Sequence, residues 1–230
     1  MLEKYYDVKE MAKVLLPRKD YKPFPKYEDR EAWANVYAPM RKDFLDENFK
    51  KTRLEFDTSA LTASAYMEWY RTNGETDGKW SRITQCRRDY LWDCTLAECF
   101  EGKGDYIDKI IDLLWAICEE TSWTIPGHNN HMHNYMWSGV MKNALPDVTE
   151  SNFFCIYAAI CAGTLGWTYY FLKDRLDQES PLLAKRIEYE LERRIITPFM
   201  THDDITWFGA YGHKINNWNP WIMSSIIPAG

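Results

Sequence analysis

The sequence predicts an all-α fold built from successive antiparallel helix pairs, and three observations carry that expectation. No segment alternates apolar and polar residues with period two, and no Asn-Gly hairpin stands out, because Asn73-Gly74 has no such strand on either side. Ile107, Ile110, Ile111, Leu114, Trp115 and Cys118 recur at three- and four-residue steps, which lays an apolar stripe along one helix face. Ser180 and Pro181 then offer a cap and first-turn pair ahead of an i+4 series, Leu183, Ile187, Leu191 and Ile195.

Taken in order, the first 28 residues hold one short helical candidate, Val8 to Leu16, followed by a link containing Pro17, Pro23 and Pro25. Asp29 can cap a helix through about Phe56, and Thr58 or Ser59 another through about Tyr70. Gly74 to Gly78 reads as a loop. Between Trp80 and Phe100, apolar residues interleave with Arg82, Arg87, Arg88, Asp89 and Asp93 in a helical pattern in which Arg87 and Arg88 read as a solvated face. Asp105 opens the striped helix described above. The segment from Thr121 to Leu145, with Pro126, Gly127 and Gly139, reads as irregular.

Thr149 or Ser151 can start a long apolar helix through Phe171, rich in alanine, glycine and aromatics and so buried on most sides. The helix after Pro181 carries Glu190 and Arg194 on its outer face at ion-pair spacing and is expected to stop before Pro198. Helical hairpins of this kind build either an (α/α) toroid, or a part of one, or a compact bundle. The domain expectation is one helical domain over residues 1–230, in which 1–28 form an extension and 29–230 the hairpin array.

The bulk properties bound the function. A net charge of −6 argues against a nucleic-acid or anionic-membrane surface, since both need a clustered basic face. An anionic ligand would need a local cationic or amide-lined pocket. Six cysteines show no zinc-type spacing and read as buried free thiols. His128, His131 and His133 have metal-like spacing, but no carboxylate or cysteine nearby completes a shell, so neither a metal nor a cofactor is expected. No basic segment followed by an apolar run opens the chain and no stretch approaches membrane-spanning length. The expected location is cytoplasmic as written, or extracytoplasmic if a leader was removed.

The segment from Trp207 to Trp221 concentrates aromatic rings with His213, Asn216, Asn217 and Asn219. Indole and phenol rings receive the apolar faces of sugars, while amides and imidazole hydrogen-bond hydroxyls and carboxylates. Asn219 before Pro220 also suits a helix start, which would require only one of the three asparagines. A second cluster, Glu119 to Asn129, contains Trp123, His128 and Asn129. Glu119 and Glu120 themselves read as a solvent-facing helix end.

The blocks Glu119 to Asn129, then Pro146-Asp147-Val148 and a long helix, then Ile215 to Asn219, resemble the N-terminal helical domain of the heparinase II/III-like polysaccharide lyases. The resemblance runs from about Trp80 to the end. It implies an incomplete (α/α) toroid that binds a uronic-acid polymer or oligomer against a C-terminal β-sandwich domain. It also implies a fragment: the β domain and the proton-carrying tyrosine would lie beyond this sequence. The partners implied are an acidic polysaccharide or oligosaccharide and that β domain, with neither nucleic acid nor membrane.

Such lyases act by β-elimination, in which a base removes the proton alpha to the uronate carboxylate and an acid protonates the departing oxygen. Asn217 is the expected carboxylate-binding residue, with Asn216 as the adjacent alternative, and His213 can bind the carboxylate or assist proton transfer. Trp207, Tyr211, Trp218, Trp123, His128, Asn129 and Arg82 are the expected substrate-binding residues. Two other readings stand beside this one. A toroidal glycoside hydrolase would need two carboxyls facing across a cleft, for which only Asp203 and Asp204 are candidates. The third is a non-catalytic glycan-binding or structural module.

Overall fold

The computed structural model describes residues 7–37, 59–72, 78–128, 145–146, 155–201, 207 and 214–230. All regular structure among them is helical. In chain order the α-helices are α1 (Val8–Val14), α2 (Arg30–Tyr37), α3 (Ala63–Arg71), α4 (Gly78–Glu101), α5 (Ile107–Cys118), α6 (Ile156–Glu179), α7 (Pro181–Leu191), α8 (Thr197–Thr201) and α9 (Trp218–Ile226). Short 3₁₀ turns lie at Arg18–Asp20, Pro126–His128 and Ile227–Ala229. No helix among the described residues is long and apolar enough to cross a membrane.

Local chemistry sets most boundaries. Asp7 accepts from the N–H groups of Lys9 and Glu10 to start α1. The cap of α3 is Thr62, three or four residues beyond the expected Thr58 or Ser59, and its Oγ1 accepts from Ala65 N at 3.3 Å. Helix α4 ends at Gly102, whose φ of 62° is the left-handed conformation that closes helices, while its N–H donates to Glu98 O. Arg30 completes that end by donating to the carbonyls of Cys99 and Phe100 at 2.7 and 2.8 Å. Helix α5 starts two residues after Asp105 because the buried Glu98 carboxylate accepts from the N–H groups of Gly104 and Tyr106 and from Tyr27 Oη.

The four long helices form two layers. Arg88 reaches Cys161 and Thr95 bonds Thr168 at 3.0 Å, so advancing seven residues along α4 matches the same advance along α6 and the two run parallel. Each is followed by an antiparallel partner. The link 102–106 returns the chain as α5, and Ser180 alone turns α6 into α7, with its Oγ accepting from Leu182 N as its Ser-Pro signal predicts. Arg186 lies over Trp115 and reaches the Cys118 carbonyl, which pairs α5 with α7 behind them. One apolar cluster runs through α4, α5, α6, α7 and α9, joined by Trp33 of α2, and a second small one joins Tyr66, Tyr70 and Trp80.

Helix α6 is the hub, and its small residues make that possible. A Cβ on Gly166 would stand 2.8 Å from Ala229 Cα, and one on Gly163 3.1 Å from the Ser225 carbonyl. Both contacts involve backbone that cannot swing aside. Gly166→Ala is therefore expected to lower stability by about 1–3 kcal/mol, the usual overpacking range, despite the better helix propensity of alanine. A thermal melt of the variant at or above the wild-type midpoint would contradict this contact.

Two expectations about helix ends and charges are corrected. The chain does not leave helical structure before Pro198. Glu192–Ile196 form a π turn in which Thr197 N–H donates five residues back to Glu192 O, and α8 follows. The wider turn displaces the backbone that a proline ring would otherwise strike. The second correction concerns Arg87, Arg88 and Glu120, which are 6%, 4% and 2% exposed rather than solvated. Glu190 is likewise 1% exposed, although its expected pairing with Arg194 is present. Glu119 does face solvent.

The cysteines are all free, with Cys86 exposed and the other five buried. Burial pushes the thiols of Cys94, Cys99, Cys118 and Cys161 up to about 12, so these four are packing groups and not nucleophiles.

Candidate functional site

The segment after α5 is fastened to the helical layers at several points. Glu120 Oε2 accepts from Arg88 Nη2 at 2.7 Å, and Oε1 from Arg87 Nη1 at 3.3 Å. Arg194 donates to the carbonyls of Glu120 and Thr121, and its guanidinium lies 4.8 Å from the ring centre of Trp123. Trp123 Nε1 donates back to Ile117 O, and Tyr70 Oη donates to Pro126 O at 2.7 Å. The segment ends in the 3₁₀ turn Pro126–His128, which presents the His128 imidazole at a fixed place.

His128 meets two rings from distant parts of the chain. Its centroid is 4.6 Å from Trp218, at the start of α9, and 5.6 Å from Tyr157, in the first turn of α6. Nδ1 is buried and makes no hydrogen bond among the described residues. Burial lowers the imidazole pKa from its ordinary value, so the neutral form is favoured in the folded protein. The unfolded chain then binds more protons than the folded one as pH falls below about 6.5, and stability declines through that window until the depressed folded value is passed. His128→Phe, which keeps a ring against Tyr157 and Trp218, is expected to flatten the loss of thermal stability between neutral and mildly acidic pH. An undiminished slope in that variant would remove His128 as its cause.

Tyr157 also belongs to a cavity of about 510 Å³ beside the ring cluster. Its other walls come from α4, through Lys79, Ser81, Arg82 and Gln85, from Ile125 in the fastened segment, and from Glu68 of α3. Glu68 Oε2 accepts from the Lys79 backbone N–H at 3.2 Å, which ties that carboxylate to the helix start. Among the described residues, neither the Lys79 ammonium nor the Arg82 guanidinium has an ion-pair partner.

At the start of α9, the asparagines divide their work. Asn216 Oδ1 accepts from Trp218 N at 2.9 Å and its carbonyl accepts from Asn219 N, so Asn216 provides the cap that Asn219 was positioned to offer. Asn217 makes no capping bond. Both Asn216 and Asn217 are exposed, as a ligand-binding role requires.

The expected site residues thus separate into three groups. His128 and Trp218 meet directly, Tyr157 connects them to the cavity that Arg82 lines, and Asn217 and Asn216 adjoin Trp218 in sequence. Trp123 and Trp207 are core residues, 3% and 2% exposed, and offer no open ring face. Asn129, Tyr211 and His213 lie outside the described residues, as do Asp203, Asp204, His131 and His133. Lys79, Gln85 and Tyr157 were not anticipated. The spacing of Lys79, Arg82 and Gln85 on one helix face was readable, but nothing local marks Tyr157, one ring in an apolar helix.

The fold and site together define an all-α protein with a ring-flanked, cation-bearing cavity. No protein-family model matches the chain, and no curated protein matches it.

Proposed function

We propose that this helical region is the substrate-binding portion of a lyase that cleaves a uronic-acid-containing glycan by β-elimination, with its hairpins arranged as an incomplete (α/α) toroid. One observation carries the reading. The segment containing His128 and the segment containing Asn217 and Trp218, which bear the resemblance to heparinase II/III-like lyases, lie side by side through the His128–Trp218 contact, next to a cavity holding Arg82. The parallel pairing of α4 with α6, each backed by its antiparallel partner, is the packing that a toroid of helical hairpins repeats.

The chemistry follows from the groups present. A sugar ring resting on exposed indole surface at the start of α9 would bring its carboxylate to the Asn217 amide. An N–H donor there stabilises the charge that moves onto the carboxylate as the neighbouring carbon loses its proton. His128, favoured in its neutral form, offers an imidazole able to hydrogen-bond a hydroxyl without adding charge.

The test is an assay of the full-length protein on a panel of acidic glycans, following the ultraviolet absorbance of the unsaturated uronate that elimination creates. Appearance of that absorbance with a new reducing end supports the proposal. Reducing ends without absorbance identify a hydrolase, and binding without either identifies a non-catalytic module; both outcomes overturn the lyase reading.

A further inference from the structure

We infer that the cavity between α3, α4 and Tyr157 is a subsite for an anionic substituent of the bound glycan, a carboxylate or a sulfate, with Lys79 and Arg82 setting its charge preference. The inference rests on the acidic-glycan reading above and deepens it, adding Lys79 to the Arg82 that the reading already uses and a second anionic group beside the one assigned to Asn217.

Charge supplies the first argument. The chain as a whole carries −6, yet the cavity walls hold two cations, Lys79 and Arg82, against one carboxylate, Glu68. That carboxylate is already engaged by a backbone N–H, so it is held at the wall and partly neutralised where it stands. Side chains of like sign repel, and gathering two of them in an acidic protein without an ion-pair partner among the described residues leaves a local positive potential for a ligand to satisfy.

Geometry supplies the second. Lys79, Arg82 and Gln85 project from one face of the first two turns of α4, whose first residue, Gly78, also lines the cavity. Arg82 can hold an oxoanion through two parallel N–H donors, Lys79 adds a point charge, and Ser81 and Gln85 add neutral donors. At about 510 Å³, the space admits a substituted sugar unit and greatly exceeds a single ion. Tyr157 belongs both to this cavity and to the ring cluster with His128, so a saccharide lying on the ring cluster would direct its next substituent into it.

Both cations are exposed, and their replacement leaves the core untouched. The test measures calorimetric binding of three tetrasaccharides to the 230-residue chain: unsulfated chondroitin, chondroitin 4-sulfate, and carboxyl-reduced chondroitin. Wild type is compared with Lys79→Gln, Arg82→Gln and the double variant, each checked for an unchanged circular dichroism spectrum and melt. Each single variant is expected to weaken binding of an acidic probe by roughly 5- to 10-fold, the range for loss of one partly solvated charged hydrogen bond, with a shallower salt dependence. The carboxyl-reduced neutral probe should bind wild type and variants alike. A loss confined to the sulfated probe assigns the subsite to sulfate, and an equal loss on both acidic probes assigns it to carboxylate. Acidic probes that bind the double variant as tightly as wild type, or that fail to bind wild type, overturn the inference. Elimination activity is read separately on the full-length protein, so its absence there, with acidic-probe binding that still depends on Lys79 and Arg82, would sink the lyase reading alone.

Discussion

Glu120→Ala is expected to lower the stability of the protein by about 3–5 kcal/mol, the range seen when one member of a buried ion pair is removed. The carboxylate is 2% exposed and bridges two guanidinium groups that are themselves 6% and 4% exposed. Its loss would leave Arg87 and Arg88 as two neighbouring buried cations with no counter-charge from Glu120, and repulsion would add to desolvation. For a domain of this size the change corresponds to a fall of roughly 6–20 °C in Tm. Glu119 provides the internal control. It has the same side chain one position earlier, it is 56% exposed, and its partner Arg186 retains Glu190, so Glu119→Ala should cost no more than about 1 kcal/mol. A Glu120→Ala melt within two or three degrees of the Glu119→Ala melt would refute the buried bridge. Because Glu120 fastens the segment that ends at His128, partial loss of acidic-glycan binding should accompany the loss of stability.

On the proposed lyase reading, Asn217→Ala in the full-length protein is expected to reduce turnover by about 10²–10³-fold, the effect of removing one hydrogen-bond donor from developing negative charge. The fold should not notice the change, since Asn217 is exposed and makes no capping bond. Asn216→Ala should behave differently. It deletes the side-chain acceptor for Trp218 N–H and should cost about 1 kcal/mol of stability, the usual loss for an N-cap. The pair therefore separates a ligand role from a structural one within a single dipeptide. Circular dichroism melts and initial rates on the same two variants give the separation directly, and full activity of Asn217→Ala would remove its assignment to the carboxylate.

The identity of the long helices was legible, because the signals that define a helix are local. The i+3 and i+4 stripe of α5 and the Ser180-Pro181 start of α7 each act through neighbours within one or two turns. Where boundaries moved, another cap, a distant residue or a wider turn intervened. Glu98 and not Asp105 satisfies the N–H groups ahead of α5, and the π turn lets the chain carry Pro198 within continuing helix. Arg87 and Arg88 illustrate a signal that was present and misread. They fall in the same three- and four-residue register as Thr84, Leu91, Cys94 and Glu98, all buried positions of α4, so their spacing already placed them on the inward face. Charge suggested solvent, whereas position required a buried partner, and Glu120 lies 32 residues away from Arg88 in sequence.

The candidate site was legible in part for the same reason. The rings and amides near Trp218 and the His128 segment announced themselves by composition, and Arg82 by its charge. That His128 rests on Trp218, that Tyr157 joins the pair to a cavity, and that Lys79 and Gln85 share its wall with Arg82 were decided only when α4, α6 and α9 packed together. By itself the sequence determined the long helices, the Asp29 and Ser180 caps and the absence of an overall basic surface, since dihedral preference, hydrogen bonding within a turn and net charge need no knowledge of distant partners. Which rings were swallowed by the core, which charges were buried as bridges and which stood open beside a cavity depended on what covered each helix face. Coverage is a property of the packed layers, because the free energy of a side chain in water or in protein is set by the neighbours that tertiary structure brings to it.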